Sequence, residues 1–190
     1  MADYIIHSDG SCWPNPGGPI GYGYTIKTET NHWAHHGSIV PGPGNTNNVA
    51  EFAALYEALA YAVTTIGLHP GDTVNCYSDS QIMVNLMCGL YSPNPEKSYF
   101  QNYFLCSGLV KEYRRRGICF NFHWIPREQN QECDDLSKAS QPPKQKVVSE
   151  AVLRRAKKKM RKDLALKTIK SKKPVDIWQE MEYSGLQTNS

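Results

Sequence analysis

Four acidic residues carry the chemistry open to this sequence. Asp9 closes a short apolar run, YIIHS at residues 4–8, and precedes Gly10. Glu51 falls in the first turns of an alanine-rich stretch. Asp79 follows the run Val74–Ser78, and Asp134 stands near the start of the last helical stretch before Pro142. Each has a plain structural use when taken alone. Asp9-Gly10 makes a turn, Asp79 caps a helix, and Glu51 and Asp134 suit helix N-termini. Together, carboxylates at strand ends and helix starts are what an open sheet gathers around a ligand. Clustered carboxylates repel, so such a site stays ionised only with cations among them. Oxygen ligands suit hard divalent ions, and Mg²⁺ is usual where phosphate is the substrate. Two such ions about 4 Å apart clamp an in-line displacement at phosphorus.

The elements that must position these residues are legible from pattern. Residues 4–8 read as a first strand ending at Asp9. Residues 21–27 (GYGYTIK), rich in aromatic and β-branched side chains, read as a second strand, and residues 32–40 as a third, making an antiparallel meander. A helix begins near Thr46, with Ala50, Ala53, Ala54, Leu55, Ala58, Leu59 and Ala62 as its apolar stripe. Val74–Ser78 is a central strand, followed by a helix over about 80–87 and a loop over 90–97. Tyr99–Arg115 reads as a helix with a basic end suited to its dipole. Ile118–Ile125 is a last strand, and a helix covers about Gln131–Ala139. The order β-β-β-α-β-α-α-β-α implies an α/β fold: a mixed five-stranded sheet, three strands antiparallel and then two parallel, flanked by helices.

Composition bounds the rest. Six cysteines are scattered without a CxxC pair, so free thiols are expected rather than a disulfide framework or a zinc site. There is no run of about 18 apolar residues, and no membrane span is expected. The N-terminus reads as a strand rather than a signal peptide, so the expected location is intracellular, in the cytoplasm. Residues 1–143 hold 8 Lys/Arg against 13 Asp/Glu, a net −5, whereas residues 144–190 hold 13 against 5, a net +8. Gln141-Pro142-Pro143 marks the boundary: a domain over 1–141, then a basic extension over 142–190, partly helical or disordered. Residues 149–170 form one basic helix in this reading, with Leu153, Ala156, Met160 and Leu164 on one side. Such a split suits a tail that meets a polyanion; a solvated extension without a partner is the alternative.

The flanking residues resemble a family. Ser8-Asp9-Gly10-Ser11-Cys12, with Asn15-Pro16-Gly17-Gly18 and Gly21-Tyr22-Gly23, resembles the opening of type 1 ribonuclease H. Thr46-Asn47-Asn48-Val49-Ala50-Glu51 resembles its second motif and Ser78-Asp79-Ser80-Gln81 its third. Trp124-Ile125-Pro126-Arg127-Glu128-Gln129-Asn130, then Cys133-Asp134-Asp135-Leu136-Ser137, resembles its fourth. The resemblance covers about residues 4–140, with the motifs in order.

It implies hydrolysis of the RNA strand of an RNA–DNA hybrid by two Mg²⁺ ions, with Mn²⁺ as a substitute, leaving a 5′-phosphate and a 3′-hydroxyl. Asp9 is then the bridging ligand, Asp79 holds the ion that activates water, and Glu51 and Asp134 complete the other ion's shell. Asp135 competes with Asp134, and the family's spacing to the following Leu favours Asp134. The resemblance implies that Gly10, Ser11 and Cys12 (through their backbone), Asn48, Glu51 and Gln81 touch the RNA strand. Asn15 and Thr46 are implied to hold a DNA phosphate. Asn15, Asn47 and Asn48 are alternatively loop and helix-cap residues. The family often carries a histidine in the loop before the last helix. Here that loop is residues 127–132, with no histidine, and Arg127 or Glu128 are the candidate substitutes. His123 reads as structural, and His35-His36 as facing opposite sides of a strand. No small-molecule cofactor is expected, and the chain is expected to act as a monomer. A non-catalytic hybrid-binding module and another nuclease of the same fold are the competing readings.

Overall fold

The computed structural model of the chain describes residues 1–141 and, beyond them, Lys158. The basic extension therefore lies outside the described residues, apart from Lys158. Strands β1 (Asp3–Cys12), β2 (Ile20–Lys27) and β3 (His32–Ile39) form the meander. Helix α1 (Asn47–Tyr61) continues into a π-helical turn, Ala62–Ile66, that stops at Gly67 in the left-handed region (φ 82°). Then come β4 (Thr73–Ser78), α2 (Gln81–Met87), α3 (Phe100–Arg115), β5 (Cys119–Trp124), a 3-10 turn at Arg127–Gln129 and α4 (Gln131–Ala139). The sheet order is β3-β2-β1-β4-β5, with β1 antiparallel to β2 and parallel to β4. That is the mixed sheet the pattern implies.

Most boundaries shift by a single residue from the sequence reading, but the end of the first strand shifts by more. β1 does not stop at Asp9 but runs to Cys12, pairing Asp9 with Gly23, Gly10 with Tyr22, Ser11 with Gly21 and Cys12 with Ile20. Its pairing with β4 ends earlier, at His7 and Tyr77. Pairing with β2 outweighs the local turn preference of Asp-Gly, because the antiparallel ladder satisfies the backbone groups that a turn would leave unpaired. Asp9 thus lies where β1 outruns β4.

Two layers of helix position the site. Alternate residues of the sheet, Tyr4, Ile6, Tyr24, Ile26, Val74, Cys76, Phe120 and Phe122, form the main core with Phe52, Leu55 and Leu59 of α1. Asn47–Ile66 is long and apolar enough by composition to cross a membrane, yet its apolar stripe is buried against this sheet. On the other face, α4 lies across β1 and β2. Two glycines of β2 permit this close approach. A Cβ at Gly21 would lie 1.9 Å from Ser137 O, and one at Gly23 would lie 2.4 Å from Leu136 Cβ. Gly10 does the same for α1, since a Cβ there would lie 2.1 Å from the Ala50 carbonyl carbon. All six cysteines are free thiols.

Candidate active site

The N-terminal turn of α1 is set by Thr46, whose hydroxyl accepts from Val49 N–H at 3.3 Å as the N-cap. With the helix pressed onto Gly10, the Glu51 side chain reaches over β1 and accepts a hydrogen bond from Gly10 N–H. Asp79, just past β4, stands beside the stretch of β1 that has left its parallel partner. Its carboxylate is not a helix cap: Ser80 holds the N-cap position of α2, without a side-chain capping bond. Asp9, Glu51 and Asp79 each place a carboxylate oxygen within 4.8 Å of the others. Three chain segments far apart in sequence thus converge on one point.

The electrostatics follow from that crowding. Burial and the charges of Asp79 and Asp134 push the Asp9 carboxyl up to about 6, against the Ser137 hydroxyl that donates to its Oδ2 at 2.6 Å. Burial, then Asp9 and Asp79, push Glu51 well above the usual carboxylate range. Glu51 Oε2 is buried without a hydrogen-bond donor among the described residues. A buried acceptor without a donor, inside a group of like charges, is what a cation relieves. The donors are all oxygen, so the residues fit a hard divalent ion such as Mg²⁺.

Asp134 is held differently. It is 3% exposed, and its two oxygens are ion-paired to Arg127 Nη2 and Lys138 Nζ. Burial would raise its carboxyl, but the bonds from Lys138 and Arg127 outweigh this and hold it below the ordinary value. Asp135, next in sequence, is exposed and accepts from Gln131 Nε2 at 2.9 Å.

Three supporting residues have no role in the sequence reading. Asn130 is 2% exposed and donates its Nδ2 to Asp79 Oδ1 at 2.9 Å and to the Ser8 carbonyl at 3.0 Å. Ser137 holds Asp9, and Lys138 holds Asp134. Their spacing was the available signal: Asn130, Ser137 and Lys138 stand four before, three after and four after Asp134, the offsets that share a helical face. Trp124, 53% exposed, donates its indole N–H to the Asp79 carbonyl at 3.1 Å.

The other named residues line a neighbouring cleft or support it. A cleft of about 500 Å³ is lined by Asn15, Pro16, Thr46, Asn47, Asn48, Lys97, Ser98 and Tyr99. Asn15 Oδ1 accepts from Asn47 N–H at 3.3 Å, and Asn47 Oδ1 accepts from Cys12 N–H at 3.0 Å. Asn15 and Asn47 thus brace the loop and helix start that form the cleft wall. The Cys12 side chain is buried. Ser11 hydrogen-bonds the Ser137 carbonyl, and Gln141 Nε2 donates to the Ser11 carbonyl at 2.8 Å. Gln81 is exposed at the start of α2. A larger groove, about 710 Å³, lies at the far end of β1 between Tyr4, Trp33 and Ile66, away from the carboxylates.

The histidines stand apart from the carboxylate cluster. His35 packs on Tyr61 and Tyr24, with ring centroids 4.4 and 5.4 Å away, while His36 bonds Ser140 Oγ at 2.7 Å on the opposite face. His123 stacks on Tyr77, which stacks on His7.

The sequence pattern of RNase H matches residues 1–141. The chain belongs to the RNase H family. Among its RNase H relatives, a bifunctional protein of Mycobacterium tuberculosis is 30% identical over 141 residues, which is 70% of this chain and 34% of that protein. The chain thus spans about a third of the length of the first curated relatives it matches. A ribonuclease H of Anaeromyxobacter dehalogenans is 37% identical over 91 residues, 46% of each chain. The N-terminal RNase H domain of the mycobacterial protein, solved fused to maltose binding protein, superposes with a TM-score of 0.63 at 26% identity, covering 74% of this chain and 94% of that one. LC11 ribonuclease H1, solved in complex with an RNA/DNA hybrid, gives 0.61 at 29% identity, covering 72% and 95%.

Proposed function

We propose that this chain is a ribonuclease H that hydrolyses the RNA strand of RNA–DNA hybrids with two divalent ions, leaving 5′-phosphate and 3′-hydroxyl ends. The observation that carries this is the convergence of Asp9, Glu51 and Asp79 within 4.8 Å, with Asp134 beside them. Bound Mg²⁺, or Mn²⁺ in its place, supplies an acidified water and neutralises charge on the leaving oxygen. Asp9 and Asp79 hold the reacting centre, Glu51 and Asp134 complete it, and Ser137 and Asn130 keep the first two carboxylates in position.

Substrate recognition follows from the surroundings. The 2′-hydroxyl distinguishes the RNA strand, and in this reading the Gly10–Cys12 backbone, Asn48, Glu51 and Gln81 are the groups that touch it. The cleft of Asn15, Thr46, Asn47 and Asn48 takes a phosphate of the DNA strand, with Lys97 as its cation. Arg127 or Glu128 takes the place of the missing loop histidine. The catalytic domain is residues 1–141, and the basic extension adds affinity for the hybrid. In this reading the chain acts as a monomer and uses no small-molecule cofactor.

Two other readings are a non-catalytic hybrid-binding module and another nuclease of this fold. A complete set of four carboxylates argues against the first, and the match to RNase H over residues 1–141 argues against the second. The deciding experiment offers labelled hybrid, duplex RNA and duplex DNA to the protein with Mg²⁺ and with a chelator. Mg²⁺-dependent cleavage of the hybrid's RNA strand alone is the expected result. Hybrid binding without cleavage, or cleavage of duplex DNA, would overturn it.

A further inference from the structure

Asp134 differs from the other three carboxylates in its partners. Asp9 takes the Ser137 hydroxyl, Asp79 the Asn130 amide and Glu51 the Gly10 N–H, all neutral donors. Asp134 instead carries a cation on each oxygen: Arg127 on Oδ1 and Lys138 on Oδ2. The two cations come from opposite sides, Arg127 from the 3-10 turn ahead of α4 and Lys138 from one helical turn after Asp134. Both have routes to water, at 63% and 49% exposure, while Asp134 itself is 4% exposed at its side chain. The carboxylate is therefore satisfied without any ion, and both of its cations border solvent.

We propose that Lys138 occupies Asp134 as a stand-in for the second divalent ion and thereby sets how tightly that ion binds. This rests on the reading of Asp134 as an ion ligand. An ion arriving at Asp134 must displace the ammonium from Oδ2. Lys138 is the displaceable partner of the two. Its ammonium is a compact point charge on a flexible four-carbon stem, whereas the Arg127 guanidinium also feels Asp79 and Asp9. An ion on Asp9, Glu51 and Asp79 displaces no ion-paired cation, because the hydrogen bonds to these carboxylates come from neutral donors and Arg127 acts on them only through its charge. The protein would thus load its ions unequally, one readily and one against a built-in cation.

The test is a Mn²⁺ titration of the full-length, substrate-free protein, followed by calorimetry and by the paramagnetic resonance of free Mn²⁺. Wild type is expected to bind one ion tightly and a second weakly. Lys138→Met should tighten the second step at least about threefold, because it removes both the ion pair and a positive charge beside the incoming ion. It should leave the first step unchanged. Lys138→Arg should keep the weak second step, and it controls for loss of the charge rather than of the side chain. The Mg²⁺ concentration for half-maximal hybrid cleavage should fall by the same factor in Lys138→Met. An unchanged second step in a folded Lys138→Met protein, or an equal shift of both steps, would overturn the proposal. Asp134→Asn separates the two ideas: a second ion that survives this change overturns the ligand role of Asp134 itself, whatever Lys138 does.

Discussion

The Asn130 amide donates to Asp79 Oδ1 at 2.9 Å while the same Nδ2 holds the Ser8 carbonyl at 3.0 Å, so one buried side chain ties the last helix to two strands of the sheet. Its Oδ1 has no donor among the described residues, which leaves the amide oriented by its two acceptors alone. Asn130→Asp keeps the shape but places a carboxylate against another carboxylate and a carbonyl. It should cut turnover at least about tenfold and raise the Mg²⁺ needed for half-maximal rate, since a lost bond to a charged group is worth about 1.5–3 kcal/mol. Asn130→Ser, which keeps a donor, should recover part of the rate. Equal rates for the Asp and Ser variants would show that the amide only fills space.

Asp9→Asn should abolish cleavage and leave the circular dichroism unchanged, because a neutral amide binds cations poorly. Near wild-type cleavage at millimolar Mg²⁺ would exclude the assignment. The same variant has a stability consequence. The folded, ion-free Asp9 titrates at about 6 against an ordinary 3.8, so its favourable contribution is complete below 3.8 and is lost as pH rises through 6. At pH 7.5 in chelator the buried charge costs up to about 3 kcal/mol. Asp9→Asn should therefore melt higher than wild type at pH 7.5, and the gap should close near pH 4. Saturating Mg²⁺ should narrow it at pH 7.5 by stabilising wild type.

Alanine at 134 should lose far more activity than alanine at 135. Asp134 is buried beside Asp9, whereas Asp135 faces solvent. Equal losses in a steady-state cleavage assay would mean that the register of the last motif is wrong.

Gly23→Ala should disturb the site through the fold. The added methyl would lie 2.4 Å from Leu136 Cβ and 2.8 Å from Ser137 N, so α4 must move off β2. Overpacking of this kind costs about 1–3 kcal/mol. Denaturant titration should show that loss, with turnover falling alongside because Ser137 and Asp134 ride on α4. Wild-type stability would mean that α4 is free to shift, contrary to the packing.

Truncation after Gln141 keeps the side chain that holds Ser11 and removes the basic extension. Turnover at saturating hybrid should be unchanged. Affinity should weaken, most at low salt, and the slope of log affinity against log salt should become shallower as cationic contacts are lost. Unchanged affinity and slope would assign the extension to a protein partner or to no partner.

The sequence by itself determined what depends on neighbours in the chain. Alternation and apolar spacing marked the strands and helices, Thr46 marked the start of α1, and a meander followed by alternating elements marked the mixed sheet. Short motifs around Asp9, Glu51, Asp79 and Asp134 marked the family. The tertiary structure decided what depends on segments distant in sequence. Gly10 read locally as part of a turn, but pairing with Gly21–Tyr24 kept it in the strand, and its missing side chain let α1 bring Glu51 to Asp9. Nor does local pattern say which carboxylate meets a neutral donor and which meets a cation. That follows from where α4 lies: its face carries Ser137 to Asp9, and the turn before it carries Asn130 to Asp79 and Arg127 to Asp134. Partners such as Ser137 and Asp9, 128 residues apart, leave no periodicity that pairs them, because the forces that join them act only once the sheet is formed.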